Sequence, residues 1–469
     1  MFRRLEHRQT LLGFASVMAL ATVGGVLPGA AETLHGAVRK ALETNPELSA
    51  IRSNRRAIDE ELVAARGLNL PTLDLQGEFG RRRYKAKTRL IDNEYHPHNQ
   101  KELQVIVTQR IFDGWEAAYE IARQKARVSS ARFRVADTAN AIALRTVQAY
   151  LEVLRARAVM SAADANVAAL LRLRSRVNRR VAAGQGDRAE RSEAGSRYEG
   201  AVAVRAEAQA RLRDAVALYI AVVGHRPRHL HGVPHAKGLP RTLSQALAIA
   251  KYDAPSVRAT DRDHAAARAA IGGARSRFYP KIVGEARSRW GFDLKETGDH
   301  ERDHRAMLIA KWNLFNGGID SSRVRESRHR AQEALEVAAN TRRLVLRETR
   351  VSWSALHAAR TRLPALRRQL SLARQTRASY NRQYDAGVRR LLDLLDAQSE
   401  VFVADAALRS EELIAKYSGY RLLGAMGSLV SRMGLALPHE AVAEPARGRF
   451  GDWETVIIER DDAYGGPTK

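Results

Sequence analysis

Hydrophobic and polar positions along this chain change period several times, and they do so twice in the same order. Around 72–112 and 281–315 apolar residues alternate with polar ones, as in "TLDLQGEFG", "LQVIVTQRIF", "KIVGEARSRWGF" and "RAMLIAKWNLF". A period of two sends neighbouring side chains to opposite faces, so each region is predicted to form a pair of strands. Polar tips, "KAKTRLIDNEYHPHNQK" and "DLKETGDHERDH", separate the strands of each pair. Each pair ends in a Phe-Asx-Gly turn, "RIFDG" at 110–114 and "NLFNG" at 313–317. Beyond these turns the pattern becomes helical. Residues 115–183 contain neither Gly nor Pro, and 319–386 contain no Gly and only Pro364. At about 1.5 Å per residue each stretch allows a helix of roughly 100 Å. Val337, Leu344, Val351, Ala358, Ala365 and Leu372 recur every seven residues, the spacing that packs helices side by side. Pro364 is expected to bend its helix locally. At Gly184 and Gly387 the chain is expected to reverse, giving two antiparallel hairpins, about 115–224 and 319–427.

The doubling extends to single residues. Thr33 and Thr242, Pro46 and Pro255, and Pro71 and Pro280 are all 209 apart. The two Phe-Asx-Gly turns, Gly184 and Gly387, and Gly224 and Gly427 are all 203 apart. Two constant offsets over ordered landmarks indicate an internal duplication, with a loop six residues different in length between them. The first repeat is placed at 32–232 and the second at 233–435, with a tail at 436–469 expected to be periplasmic and without fixed structure.

The first residues alter the setting. "MFRRLEHRQT" is basic, "LLGFASVMALATVGGVL" is apolar and "PGAA" is small. That order is the secretory signal, here 1–31, with cleavage expected after Ala31 or one residue earlier. No later segment is apolar enough for a transmembrane helix. A ten-residue tilted strand nevertheless spans an outer membrane. Four strands cannot close a barrel, whereas three copies would supply twelve around an open lumen. The pattern therefore predicts an α+β membrane protein: a trimeric β-barrel with four strands per chain, continued by a long α-helical barrel of antiparallel coiled-coil hairpins.

Composition removes several classes. The 469 residues include no Cys, which excludes disulfides, thiolate nucleophiles and cysteine-bearing zinc sites. The formal charge of +26 suggests nucleic acid, yet the arginines lie along helices among alanines, with no basic tail or aromatic interleaving. A basic nucleic-acid binder and a filamentous coiled-coil scaffold are the competing readings, and the signal and the strands oppose both. His225, His229, His231 and His235 fall in a linker between the repeats, and no carboxylate accompanies them at helical ligand spacing. The phosphate-binding, dinucleotide and hydrolase motifs are absent, so neither an enzyme nor a cofactor or metal site is expected.

The repeated "TL…AL…NP" openings, "IFDG" and "LFNG", and above all "YDAGVRRLLDLLDAQSEV" at 384–401 resemble the TolC family of trimeric outer-membrane exit ducts. The last stretch follows that family's Gly-x-Arg-x-x-x-Asp-x-x-Asp pattern. "AYLEVLRAR" at 149–157, "FYP" at 278–280, "LFNGG" at 314–318 and "LLDLLDAQSE" are most similar to its type I secretion branch. The resemblance implies a homotrimer in outer-membrane lipid. It also implies a periplasmic adaptor and an inner-membrane ABC transporter, or an RND-type pump for drugs or metals in the efflux branches. Asp393 and Asp396 would form the periplasmic constriction and, as a ring of like charges, favour cations. Arg389, Tyr384 and Glu190 would lock that gate, and Gly184 and Gly387 would mark the tips that dock the adaptor. The first turn, "AAGQGDRAER", departs from the family in carrying Glu190 where an aspartate is common.

Overall fold

The computed structural model describes residues 32–84, 96–294 and 298–442. The chain begins with α1 (Leu34–Thr44) and α2 (Pro46–Gly67). Thr33 caps the first, its hydroxyl accepting from Gly36 N at 3.1 Å, and Asn45 caps the second ahead of Pro46. The second repeat opens alike: Thr242 caps α5 (Leu243–Asp253), and Pro255 starts α6 (Pro255–Arg275).

The strands are β1 (Thr72–Tyr84), β2 (His96–Phe112), β3 (Lys281–Phe292) and β4 (His300–Lys311), in one antiparallel sheet of order β1-β2-β3-β4. The register sorts the two faces. Leu73 and Leu75 pair with Val107 and Val105, which pair with Ala286 and Ser288, and these pair with Ala306 and His304. The alternate rows carry Asp74, Gln76 and Glu78, then Ile106, Gln104 and Glu102, then Arg287 and Arg289. One face is thus mainly apolar and the other mainly polar, the alternation of a barrel wall between lipid and water. Phe79 on the apolar face is 87% exposed in the single chain. Among the described residues neither β1 nor β4 has a partner on its outer edge.

From the sheet run α3 (Glu116–Ala182) and α7 (Ile319–Asp385), each of 67 residues and so about 100 Å long. Asp113 of the first turn accepts from Ala117 N at 2.9 Å, satisfying an amide in the first turn of α3. Pro364 lies inside α7, which continues through it. The return helices, α4 (Arg188–Val223) and α8 (Leu391–Ala425), have 36 and 35 residues and cover only the turn-side half. On the sheet-side half α6 packs against both α3 and α7, while α2 packs against α3.

The largest core lies where these halves meet, midway along the molecule. Val135, Ala139, Tyr150 and Val153 of α3, Tyr219 of α4, Val38 of α1, Ala246 of α5 and Leu422 of α8 converge there with Leu429 of α9 (Leu429–Arg432). Alanine dominates this core because closely packed helices leave little room for larger side chains.

Two expectations change. The seven-residue stripe read along α7 faces away from the chain's own helices, with Val337, Leu344, Val351 and Leu372 between 45% and 62% exposed. The stripe buried within the chain runs one position later, through Ala338, Ser352, Ala359 and Ala373. The tail is held at its start. A short α10 (His439–Val442) places buried Glu440 against Arg52 at 2.8 Å, with Arg56 nearby, and these guanidiniums hold its carboxyl below the usual range against the effect of burial. The signal, the tip at 85–95 and the tail from 443 lie outside the described residues.

Candidate functional site: the hairpin tips

Both reversals are built on glycine. Gly184 and Gly387 have φ of +70° and +76°, where other residues pay for a crowded Cβ, and open space surrounds both. Asp187 then caps α4, accepting from Ala189 N at 3.2 Å, whereas α8 starts after Arg390 with no side-chain cap. The two tips are joined by a core of their own. Leu170, Leu173 and Val177 of α3 and Ala194 and Ala201 of α4 pack against Tyr384, Leu391, Leu394 and Leu395 of the second hairpin.

Tyr384 is the centre of that joint. It is buried, and the Arg180 guanidinium lies over its ring at 4.7 Å. Burial pushes its hydroxyl pKa up, the Glu190 carboxylate adds to this, and Arg180 and Arg176 oppose it. Tyr384 therefore packs against the first hairpin of the same chain. The expected Arg389–Glu190 contact is not made within the chain. Arg389 folds back along its own hairpin, 4.0 Å over the Tyr380 ring, donating to Gln383 Oε1 at 3.1 Å and lying 3.6 Å from Asp393. The short turn leaves its guanidinium over the last turns of α7, while Glu190 lies beside Gly186 and Tyr384.

Asp393 and Asp396 do not stand as bare charges. Asp393 lies 3.6 Å from Arg389 and 3.8 Å from Arg390. Asp396 accepts a hydrogen bond from Arg197 of the first hairpin at 2.7 Å. Arg176 reaches Asp385 in the same way at 2.8 Å, and buried Gln398 donates to Asn166 Oδ1 at 2.9 Å. Sequence reasoning missed Arg197, Arg176, Asn166 and Gln398. One signal was available: the 203-residue offset superposes Glu190 on Asp393 and Glu193 on Asp396, so both hairpins open with carboxylates three apart. The arginine partners had no such signal, because Arg197 superposes on Glu400. Among the described residues no group of three or more metal-ligating side chains occurs, and no helix is long and apolar enough to cross a membrane.

A two-faced antiparallel sheet carried on helical hairpins about 100 Å long defines the class of outer-membrane channel subunits. Residues 37–225 and 246–428 match the family "Outer membrane efflux protein", and the chain belongs to it. The break between the matched segments falls in the linker between the repeats. The chain is similar to the outer membrane efflux protein BepC of Brucella suis biovar 1, 26% identical over 87% of this chain and 89% of that protein. It is 22% identical to the outer membrane protein TolC of Escherichia coli, over 88% of this chain and 86% of that protein. Among solved structures, the Campylobacter jejuni CmeC outer membrane channel superposes with a TM-score of 0.76 at 15% identity, covering 84% of this chain and 86% of that one. VceC of Vibrio cholerae gives 0.74 at 18% identity, covering 84% and 96%. This is a TolC-family transport protein of the outer membrane, and its fold is the TolC-like channel fold.

Proposed function

We propose that three copies of this chain close into one duct, with the sheets in the outer membrane, the hairpins in the periplasm and the tips as a gated mouth. The observation that carries this is the pair of unpaired sheet edges. Outer edges of β1 and β4 expose backbone donors and acceptors that lipid cannot satisfy, and three four-stranded sheets closed edge to edge remove them. The helices support the same closure. Because α6 lies between α3 and α7, the duplication calls for α2 to lie between α3 and the α7 of the next copy. The exposed stripe Val337–Leu344–Val351–Leu372 is the apolar surface such a neighbour would cover.

In this reading the chain conducts and catalyses nothing. Asp393 and Asp396 line the constriction, Arg389 and Tyr384 hold it shut, and the tips at Gly184 and Gly387 meet a periplasmic adaptor bound to an inner-membrane ABC transporter. The type I secretion motifs favour an unfolded protein as cargo. Small-molecule efflux with an RND-type pump is the second reading, favoured by the similarity to a protein named for efflux.

The mass of the detergent-solubilised protein tests assembly, with a trimer expected and a stable monomer fatal to the duct. Deleting the gene separates the cargoes: loss of a secreted protein supports the first reading, and lost drug tolerance with an unchanged secretome supports the second.

A further inference from the structure

The tips carry more positive than negative charge. Between 176 and 197 six arginines face three carboxylates, and between 380 and 400 three arginines face four. Each chain thus brings two positive charges in excess to its mouth, counting every charged group within these two stretches. The pairing decides where that excess lies. Asp396 is matched by Arg197 at 2.7 Å, Asp385 by Arg176 at 2.8 Å, and Asp393 has two arginines within 4 Å, Arg389 and Arg390. Of these, Arg390 has a side chain 82% exposed, so its charge projects into solvent beside Asp393. Arg179, Arg180, Arg188, Arg191 and Arg382 complete the positive set, and Asp187, Glu190, Glu193 and Glu400 the negative.

Two aspartates three apart make a cation filter only if nothing nearby cancels them. Wall charges within a screening length of the axis, about 8 Å at physiological salt, act together, so their sum sets the sign of the potential there. Arg389, stacked on Tyr380 and bonded to Gln383, shares in neutralising Asp393 from 3.6 Å, while Arg197 and Arg390 supply the rest of the neutralising charge at the opening.

We propose that Arg197 and Arg390 set the charge preference of the periplasmic mouth, so that this duct favours anions and admits acidic cargo. The proposal rests on the trimeric-duct reading and adds the class of substrate to it. It reverses the cation preference that the aspartates alone suggest.

The test is the reversal potential of the purified native trimer in a planar bilayer under a KCl gradient. The wild type is expected on the chloride side of zero, with little block by a trivalent cation. Arg197→Gln with Arg390→Gln removes that excess of two charges per chain and should bring the reversal potential close to zero, with the chloride preference lost. Arg197→Lys, which keeps the charge, should retain chloride preference and so separates charge from folding. Asp393→Asn with Asp396→Asn should shift the potential further towards chloride. A conducting, potassium-selective wild type that the arginine variants leave unchanged would overturn the proposal while sparing the duct. Intact trimers that never conduct would overturn the duct itself, and the proposal with it.

Discussion

The Tyr219 hydroxyl donates to the Glu32 carboxylate at 2.7 Å, fastening the start of the described chain to the end of the first hairpin. Around this bond Glu32 N donates to His229 O at 2.8 Å and His231 N donates to Glu32 O at 3.0 Å. The Tyr150 hydroxyl lies 2.7 Å from Glu32 O and 2.9 Å from His231 O. His225, from the histidine-bearing linker, sits 3.4 Å from the same carboxylate. Tyr219→Phe removes one partner and leaves a nearly buried carboxylate short of a donor, a loss of about 1–3 kcal/mol. Thermal melting followed by helical circular dichroism should show a lower Tm, and an unchanged Tm would mean water replaces the hydroxyl without cost.

The same pair predicts alkaline instability. Burial, helped by the Glu32 charge, pushes the Tyr150 hydroxyl up to about 12, and burial with the Glu32 bond and charge pushes Tyr219 up as well. A raised pKa means that the fold holds the proton more tightly than the unfolded chain, whose tyrosines ionise near 10. The stabilisation is therefore complete below pH 10 and is lost as pH rises towards 12. A melting series from pH 8 to 12 should be level at first and then fall. Tyr150→Phe should flatten the fall.

Gly114 tests the junction between sheet and helix. Its φ is +71°, and a Cβ there would lie 2.5 Å from Ser276 O and 2.9 Å from Tyr279 Cβ. Gly114→Ala should combine left-handed strain of about 1–2 kcal/mol with overpacking of about 1–3 kcal/mol. Its repeat mate Gly317, at φ +55°, faces open space within the chain, so Gly317→Ala should cost only the strain. Folded yield in the outer membrane should rank wild type, then Gly317→Ala, then Gly114→Ala.

The α7 stripe tests assembly apart from folding. Leu344→Glu with Val351→Glu places charges on residues that the single chain leaves exposed, so helix content should hold while the detergent-solubilised mass falls from trimer to monomer. A persistent trimer would remove this stripe from the interface.

Arg389 closes the second turn by stacking on Tyr380 and bonding Gln383. Arg389→Ser should loosen that turn and raise the resting conductance of the trimer in planar bilayers. Solvent-exposed pairs contribute only about 0–1 kcal/mol each, so the effect should be a shift in the open fraction with the trimer intact. Equal resting conductance in the two proteins would exclude Arg389 from the gate.

The sequence by itself determined the elements and their doubling, because strand and helix periods are local. Residues a few positions apart decide whether a stretch alternates or repeats every seven, and Gly184, Gly387 and the Phe-Asx-Gly turns mark the ends whatever lies around them. The capping of α1 and α5 by Thr33 and Thr242 was legible for the same reason. Tertiary structure alone decided which face of α7 meets its own chain. Two stripes one residue apart both repeat every seven positions, and only the placement of α6 and α8 buries Ala338 and Ala359 while leaving Val337 and Leu344 outside. It also decided the chemistry of the tips. Asp393 and Asp396 could be read as a pair on one helix face, but Arg197 is 199 residues from Asp396 and reaches it only because the hairpins pack through Tyr384 and Leu394. A charge is local to its residue, whereas the charge a solute meets is summed over everything the fold brings within a screening length.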